Sequence, residues 1–308
     1  MARLSPSHRL STLRGRWFVM VALLLAAMVA VSGSSPSPAA YVLVPVGRSP
    51  DISGNRIQVL VNGESLPHAM VSDQFGGVWL RLPRVGADTT VVVRIVVEEP
   101  SRPPRSTGDA ARGLLSPSEL IDSGHPAIVE TAALITAATP SAAGKSSAIH
   151  DHLESTLTWA RYPGQRTDPA STTLALGYGT CTNYARLFVA LARASDVPAR
   201  TVRGIVFDGT RNDRYHEWVE YLDETNLWHS HDPTAGARFD RTGRGYVELM
   251  YAAEENSLLA DPAFAVVFDA TLQPHDGRLG YELIARTPSS ITIQNTYHLE
   301  VEADDPAS

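Results

Sequence analysis

Apolar and polar positions along the chain change their period twice. Between Tyr41 and Glu99, the short Val-, Ile- and Leu-rich runs Tyr41–Val46, Ile57–Val61, Val78–Leu82 and Thr90–Val97 are separated by Gly, Asn, Asp and Pro. Runs of that length between turn residues predict β-strands, and four or five of them within about 60 residues predict a small antiparallel sheet or sandwich. Pro100-Ser101-Arg102-Pro103-Pro104-Arg105 then breaks the pattern, as a stiff linker or domain boundary does. Beyond it the apolar period becomes helical. Ile128, Thr131, Ala132 and Ile135 share one face, and so do Ile149, Leu153, Leu157 and Ala160. The firmest helical pattern opens at Cys181, places Tyr184, Leu187, Phe188, Leu191 and Ala192 on one face, and ends near Asp196 before Pro198. Ala199–Phe207, Tyr215–Leu222 and Leu227–His231 return to strand pattern. Tyr281–Ala285 and Ser290–Val301 predict a pair of strands joined through Thr287-Pro288-Ser289. Helices first and sheet afterwards predict an α+β domain, not alternating βαβ units.

The N-terminus follows a different rule. Arg3, Arg9, Arg14 and Arg16 precede an uncharged apolar run from Trp17 to Val31, with small residues at Ala30 and Ser32. This is the layout of an export signal. Fifteen helical residues span roughly 23 Å, short of the roughly 30 Å hydrocarbon core, so a cleaved signal is the first expectation. An uncleaved anchor with a cytoplasmic N-terminus is the second. Either one predicts an exported protein, touching a membrane only through that segment. Without those four arginines, 22 basic side chains face 33 acidic ones, a net charge of −11. Such a surface repels phosphates, and no basic stripe interleaved with aromatics is present, so nucleic acid is not an expected partner. A single cysteine leaves no internal disulfide, so the thiol is free and stability must come from the core.

That thiol sits at a helix start. Gly177, Gly179 and Thr180 precede Cys181, and Thr180 is a plausible N-cap. Unpaired backbone N–H groups and the helix dipole in the first turn favour a thiolate, and the same groups can donate to an oxyanion. His216 lies on a strand, on the face of Trp218 and Glu220 and opposite Tyr215, Glu217 and Val219. Asp232 ends the next strand, before Pro233-Thr234. Taken singly, each has an ordinary structural explanation: a packed thiol, a strand histidine, an Asp-Pro turn. Together they supply a nucleophile, a base and a group to orient the base. A metal reading of His229, His231 and Asp232 with His216 is weaker. His229 and His231 share a strand face but Asp232 points to the other, and no fourth ligand has diagnostic spacing. Solvent-facing polar residues is the simpler account of His229 and His231.

The stretch Gly177-Tyr178-Gly179-Thr180-Cys181-Thr182-Asn183-Tyr184-Ala185-Arg186 is followed by Val197-Pro198-Ala199-Arg200 and a strand to Gly204. With His216-Glu217-Trp218-Val219-Glu220-Tyr221 and the ending from Trp228 to Asp232-Pro233-Thr234, it resembles the core of the transglutaminase-like superfamily. The resemblance runs from roughly Ser116 to Thr234 and does not cover Tyr41–Glu99 or the chain beyond Thr234. It implies a papain-like α+β fold in which a Cys-bearing helix packs on an antiparallel sheet bearing His and Asp. In that scheme Cys181 is the nucleophile, His216 the general base and acid, and Asp232 the group that orients the imidazole. One departure is Asn183, where relatives often carry an acidic residue. Tyr178 is a candidate side-chain oxyanion donor, with the backbone N–H of Cys181 the safer one. Tyr178, Trp218 and Trp228 are the candidate substrate-binding residues, although both tryptophans also suit the core.

The chain accordingly divides into 1–32 as signal or short anchor, 33–40 as linker, 41–99 as a small β-sandwich-like domain, 100–110 as a proline-rich linker, 111–302 as the transglutaminase-like domain and 303–308 as an acidic tail. The expected activity is cleavage of amide or peptide bonds in a protein or peptide substrate through a cysteine thioester, without cofactor or metal. The alternatives are acyl transfer from glutamine to an amine, and a non-catalytic envelope binding module.

Overall fold

The computed structural model of the protein describes residues 41–48, 57–66, 68–83, 89–98, 113–163, 167–207, 214–234, 246–260, 264–266, 281–286 and 290–299. The expected leader and linker within 1–40, the proline-rich linker 100–110 and the tail 303–308 lie outside them. Among the described residues no helix is long and apolar enough to cross a membrane. The elements run β1 Tyr41–Arg48, β2 Ile57–Val61, β3 Glu64–Ser65, β4 Ala69–Ser72, β5 Gly77–Pro83 and β6 Thr89–Glu98, then α1 Pro126–Thr136 and α2 Ala142–Thr156. Next come β7 Thr158–Trp159, α3 Ala170–Leu176, β8 Tyr178–Gly179, α4 Cys181–Ala194, β9 Ala199–Val206, β10 Arg214–Leu222, β11 Trp228–His231 and β12 Tyr246–Tyr251. A 3-10 turn at Ala253–Glu255, α5 Ser257–Ala260, β13 Phe264–Val266, β14 Tyr281–Arg286 and β15 Ser290–Leu299 complete the described fold. This is a mixed α+β architecture.

The central sheet has the order β11-β10-β9-β12 and is antiparallel throughout. Helix α4 lies against it, with α1, α2 and α3 packed around α4. Their shared core contains Ile128, Ile149, Leu153, Leu187, Phe188 and Leu191 from the helices and Ala199, Val219 and Tyr221 from the strands. The apolar stripe on α4 predicts one buried face, yet every residue from Asn183 to Arg193 is buried. Helices and sheet enclose α4 on all sides, which leaves its charged residues needing partners. Glu255 supplies a carboxylate to Arg193, which also donates to the Ala199 carbonyl at 2.9 Å. Arg186 pairs with Glu254 at 3.2 Å. The 3-10 turn after β12 therefore neutralises the two cations that the helix carries inside.

The structure does not keep 41–99 to itself. Strand β1 pairs antiparallel with β5 but parallel with β13, and β6 pairs with β2 on one side and with β15 on the other. Both sheets formed by the N-terminal strands thus take strands from the C-terminal part of the chain. The core between them continues into the central sheet: Val44, Val59, Leu80 and Ile95 pack with Ile205, Phe207, Val247 and Leu249. The buried Asp73 carboxylate fastens the join, accepting from Trp79 Nε1 at 2.8 Å and from Asn256 Nδ2 at 2.7 Å. The physical reason is edge satisfaction. Strand β6 would otherwise leave a row of unpaired backbone groups at its second edge, and β15 covers it along ten residue pairs. The expected pairing of the last two strands is present as the β14–β15 ladder.

Candidate active site

Local chemistry sets the start of α4. Thr180 is the N-cap, in extended conformation, and Asn183 Oδ1 accepts from the Thr180 N–H at 3.0 Å and from its hydroxyl at 3.1 Å. Asn183 thus fills the place a Glu or Gln takes in a capping box. Its Nδ2 also reaches Tyr162 Oη at 3.3 Å and Thr173 Oγ1 at 3.4 Å, so an amide that donates and accepts suits the position. Gly179 has no room for a side chain: a Cβ there would lie 2.5 Å from Asn183 Cβ. Cys181 follows directly, half-buried, in the first turn with its unpaired N–H groups.

Strand β10 brings His216 to this helix end, and β11 ends at His231 to place Asp232 beside it. His216 Nε2 and Asp232 Oδ2 are 2.7 Å apart. The Cys181 thiol lies close enough to the imidazole to favour its charged form. The carboxylate is held in turn by Tyr246 Oη at 2.7 Å, Thr234 Oγ1 at 2.7 Å and the Thr234 N–H at 2.9 Å. Burial opposes charge on both members, but their mutual hydrogen bond and attraction prevail. His216 is pushed up to about 10, with help from the Cys181 thiol, and Asp232 down to about 2, with help from Tyr246 and Thr234. At neutral pH the pair is therefore imidazolium and carboxylate. The structure brings Cys181, His216 and Asp232 together.

Trp218 does not wall a groove. It is fully buried beneath His216, ring centroids 6.1 Å apart at 27°, and packs with Val202 and Tyr251. Trp228 is also buried, 4.2 Å beneath the Arg200 guanidinium, which sits as close to the Tyr251 ring and pairs with Glu220 at 2.7 Å. Neither ring has a free face to offer a substrate. Tyr178 is half-buried next to the site, edge-on to Tyr162 at 5.2 Å. His231 is buried rather than solvent-facing: it bonds His150 at 3.0 Å and stacks on Phe188, because its strand face is the one that meets the helices. His229 is half-buried and pairs with Asp223 at 2.7 Å. Tyr246 and Thr234, which fix Asp232, were not singled out from the sequence. Thr234 stood two residues away as a mere turn residue, and Tyr246 has no spacing signal at all.

Gly204 lies opposite His216 in the ladder, and a Cβ there would meet the Val247 carbonyl oxygen at 2.0 Å and Trp218 Cη2 at 2.5 Å. Gly204→Ala is thus expected to destabilise the fold by at least about 2 kcal/mol, through overpacking against backbone that cannot swing away. Urea unfolding monitored by tryptophan fluorescence checks this.

The family model of the transglutaminase-like superfamily matches residues 129–233, the span that holds the Cys181 helix, His216 and Asp232. That span is a transglutaminase-like core. No curated protein matches the chain. Among solved structures, the chain is similar to a candidate cysteine protease of Cytophaga hutchinsonii at 17% identity and a TM-score of 0.48, over 70% of this chain and 77% of that one. It is also similar to the periplasmic domain of TgpA from Pseudomonas aeruginosa at 16% identity and a TM-score of 0.33, over 62% and 92% respectively. A candidate protease of Parabacteroides distasonis aligns at 14% identity and a TM-score of 0.30, over 86% and 70%. The transglutaminase-like core is roughly a third of the chain; of the strands on either side of it, β12 completes the central sheet and the rest build the two other sheets described above.

Proposed function

We propose that the protein is an exported thiol hydrolase that cleaves amide or peptide bonds through a thioester on Cys181. The observation that carries this is the 2.7 Å bond between His216 and Asp232 beside the thiol at the start of α4. The thiolate attacks the amide carbonyl, and the tetrahedral oxyanion forms next to the backbone N–H groups of the first turn, that of Cys181 among them. His216 gives its proton to the leaving amine, the C–N bond breaks, and the acyl group remains on sulfur. Water, deprotonated by the now neutral imidazole, then displaces the thiolate and releases the acid. Tyr178 borders the site as a contact for substrate. Export rests on the basic N-terminal residues and the apolar run from Trp17 to Val31.

The acceptor distinguishes hydrolysis from transfer. Peptides containing glutamine or an isopeptide bond, incubated with and without a labelled primary amine, are expected to give Cys181-dependent hydrolysis and no label on the peptide. Label incorporated in a Cys181-dependent way would make the protein a transferase. No Cys181-dependent product of either kind would leave a non-catalytic module.

A further inference from the structure

We infer that Glu217 is a positioning residue whose buried carboxylate ties the turn carrying Cys181 to the strand carrying His216, and so sets the spacing of the reacting pair. The inference rests on Cys181 and His216 being that pair. Thr182 follows Cys181, Glu217 follows His216, and Thr182 Oγ1 donates to Glu217 Oε2 at 3.0 Å. One hydrogen bond thus joins the chain neighbours of the two groups that must meet. The same carboxylate oxygen accepts from Arg203 Nε at 3.1 Å and lies 3.4 Å from the Tyr215 hydroxyl. Arg203 continues to Glu254 at 2.7 Å, and Glu254 accepts from Arg186 Nε at 3.2 Å and from Thr201 Oγ1 at 2.7 Å.

Thr182 and Arg186 are four residues apart on α4 and therefore lie on one face of it. Thr182, Glu217, Arg203, Glu254 and Arg186 close into a circuit that holds the first turns of α4 to β9 and β10 at two points. Two carboxylates balance two guanidinium groups in it. The Glu217 side chain is wholly buried, and its second oxygen, Oε1, has no partner among the described residues. A buried ionic circuit adds little stability over apolar packing, and an unpaired buried acceptor is unfavourable. Stability alone gives no reason for a carboxylate here, whereas fixing one geometry does. Burial raises the Glu217 pKa against the pull of Arg203, while burial at Glu254 is overcome by Arg203 and Arg186, which hold it down to about 2.

The test is the rate of Cys181 alkylation by iodoacetamide across pH, measured beside thermal melting. A thiolate held by a nearby imidazolium reacts well below the ordinary thiol range of roughly 8.5. Glu217→Ala and Thr182→Val are expected to lower the rate at about pH 6 by at least about tenfold and to leave the rate at about pH 10.5 within about twofold. Thr182→Ser keeps the hydroxyl and should restore the wild-type profile. A merely structural role would lower the melting temperature and leave the profile unchanged. If Glu217→Ala, or Thr182→Val should that variant alone fold, gives the wild-type profile, Glu217 does not position the pair. If His216→Ala also gives the wild-type profile, it is the assignment of the pair that fails.

Discussion

Cys181→Ala is expected to abolish amide hydrolysis, by on the order of 10⁴-fold or more in kcat, while leaving the fold intact. The loss is large because Cys181 is the only cysteine in the chain, so no second thiol can take the acyl intermediate. Asn183 and Thr180 are engaged in capping each other. The change in stability should stay within about 1 kcal/mol, since the substitution removes one half-buried sulfur and no backbone hydrogen bond. Circular dichroism and melting of the variant beside its kcat check both halves of the statement. A variant that loses activity and unfolds would not separate chemistry from structure, whereas one that keeps its melting temperature and most of its activity would exclude a thioester route.

Asp232→Asn should have the next largest effect, a fall of about 10²- to 10⁴-fold in kcat with a changed pH profile. In the wild type His216 stays protonated to about 10, so the alkaline limb of kcat/KM should fall there. With the carboxylate neutralised, only the Cys181 thiol still offsets the burial that opposes the imidazolium, and the limb should move to lower pH. The same pair makes stability depend on pH. A histidine with a raised pKa stabilises fully below its unfolded value of 6.5, and that contribution is lost as pH rises through about 10. Asp232, lowered from 3.8, contributes above that value, and its share is lost as pH falls through about 2. The two describe a single interaction, so melting temperature should be highest between about 4 and 6.5 and decline on both sides. In Asp232→Asn that maximum should flatten.

Much of this arrangement could be read before the structure, and the limits have physical causes. The Cys181 helix was legible because its apolar period is strong and a glycine turn and a threonine mark its start. Strands β9 to β11 were legible for the same local reasons, and with them the order of Cys181, His216 and Asp232. What was not legible depends on partners far along the chain. Nothing near Tyr41 shows that β1 pairs with Phe264–Val266, and nothing near Arg186 or Arg193 shows that Glu254 and Glu255 neutralise them. Trp218 illustrates the same limit inside the site. Its position beside His216 in sequence permits either a groove wall or a packed support, and only Gly204 and Tyr251 across the sheet decide for the support. Short α3 was missed because seven residues carry too little period to stand out.

Whether Cys181 reacts as a thiolate held by His216 is read from the rate of iodoacetamide alkylation of the wild-type protein from about pH 5 to 11. The expected result is substantial reactivity at about pH 6 that disappears in His216→Ala. A thiol that is inert throughout, or whose reactivity rises once near the ordinary value of roughly 8.5 in both proteins, would contradict it.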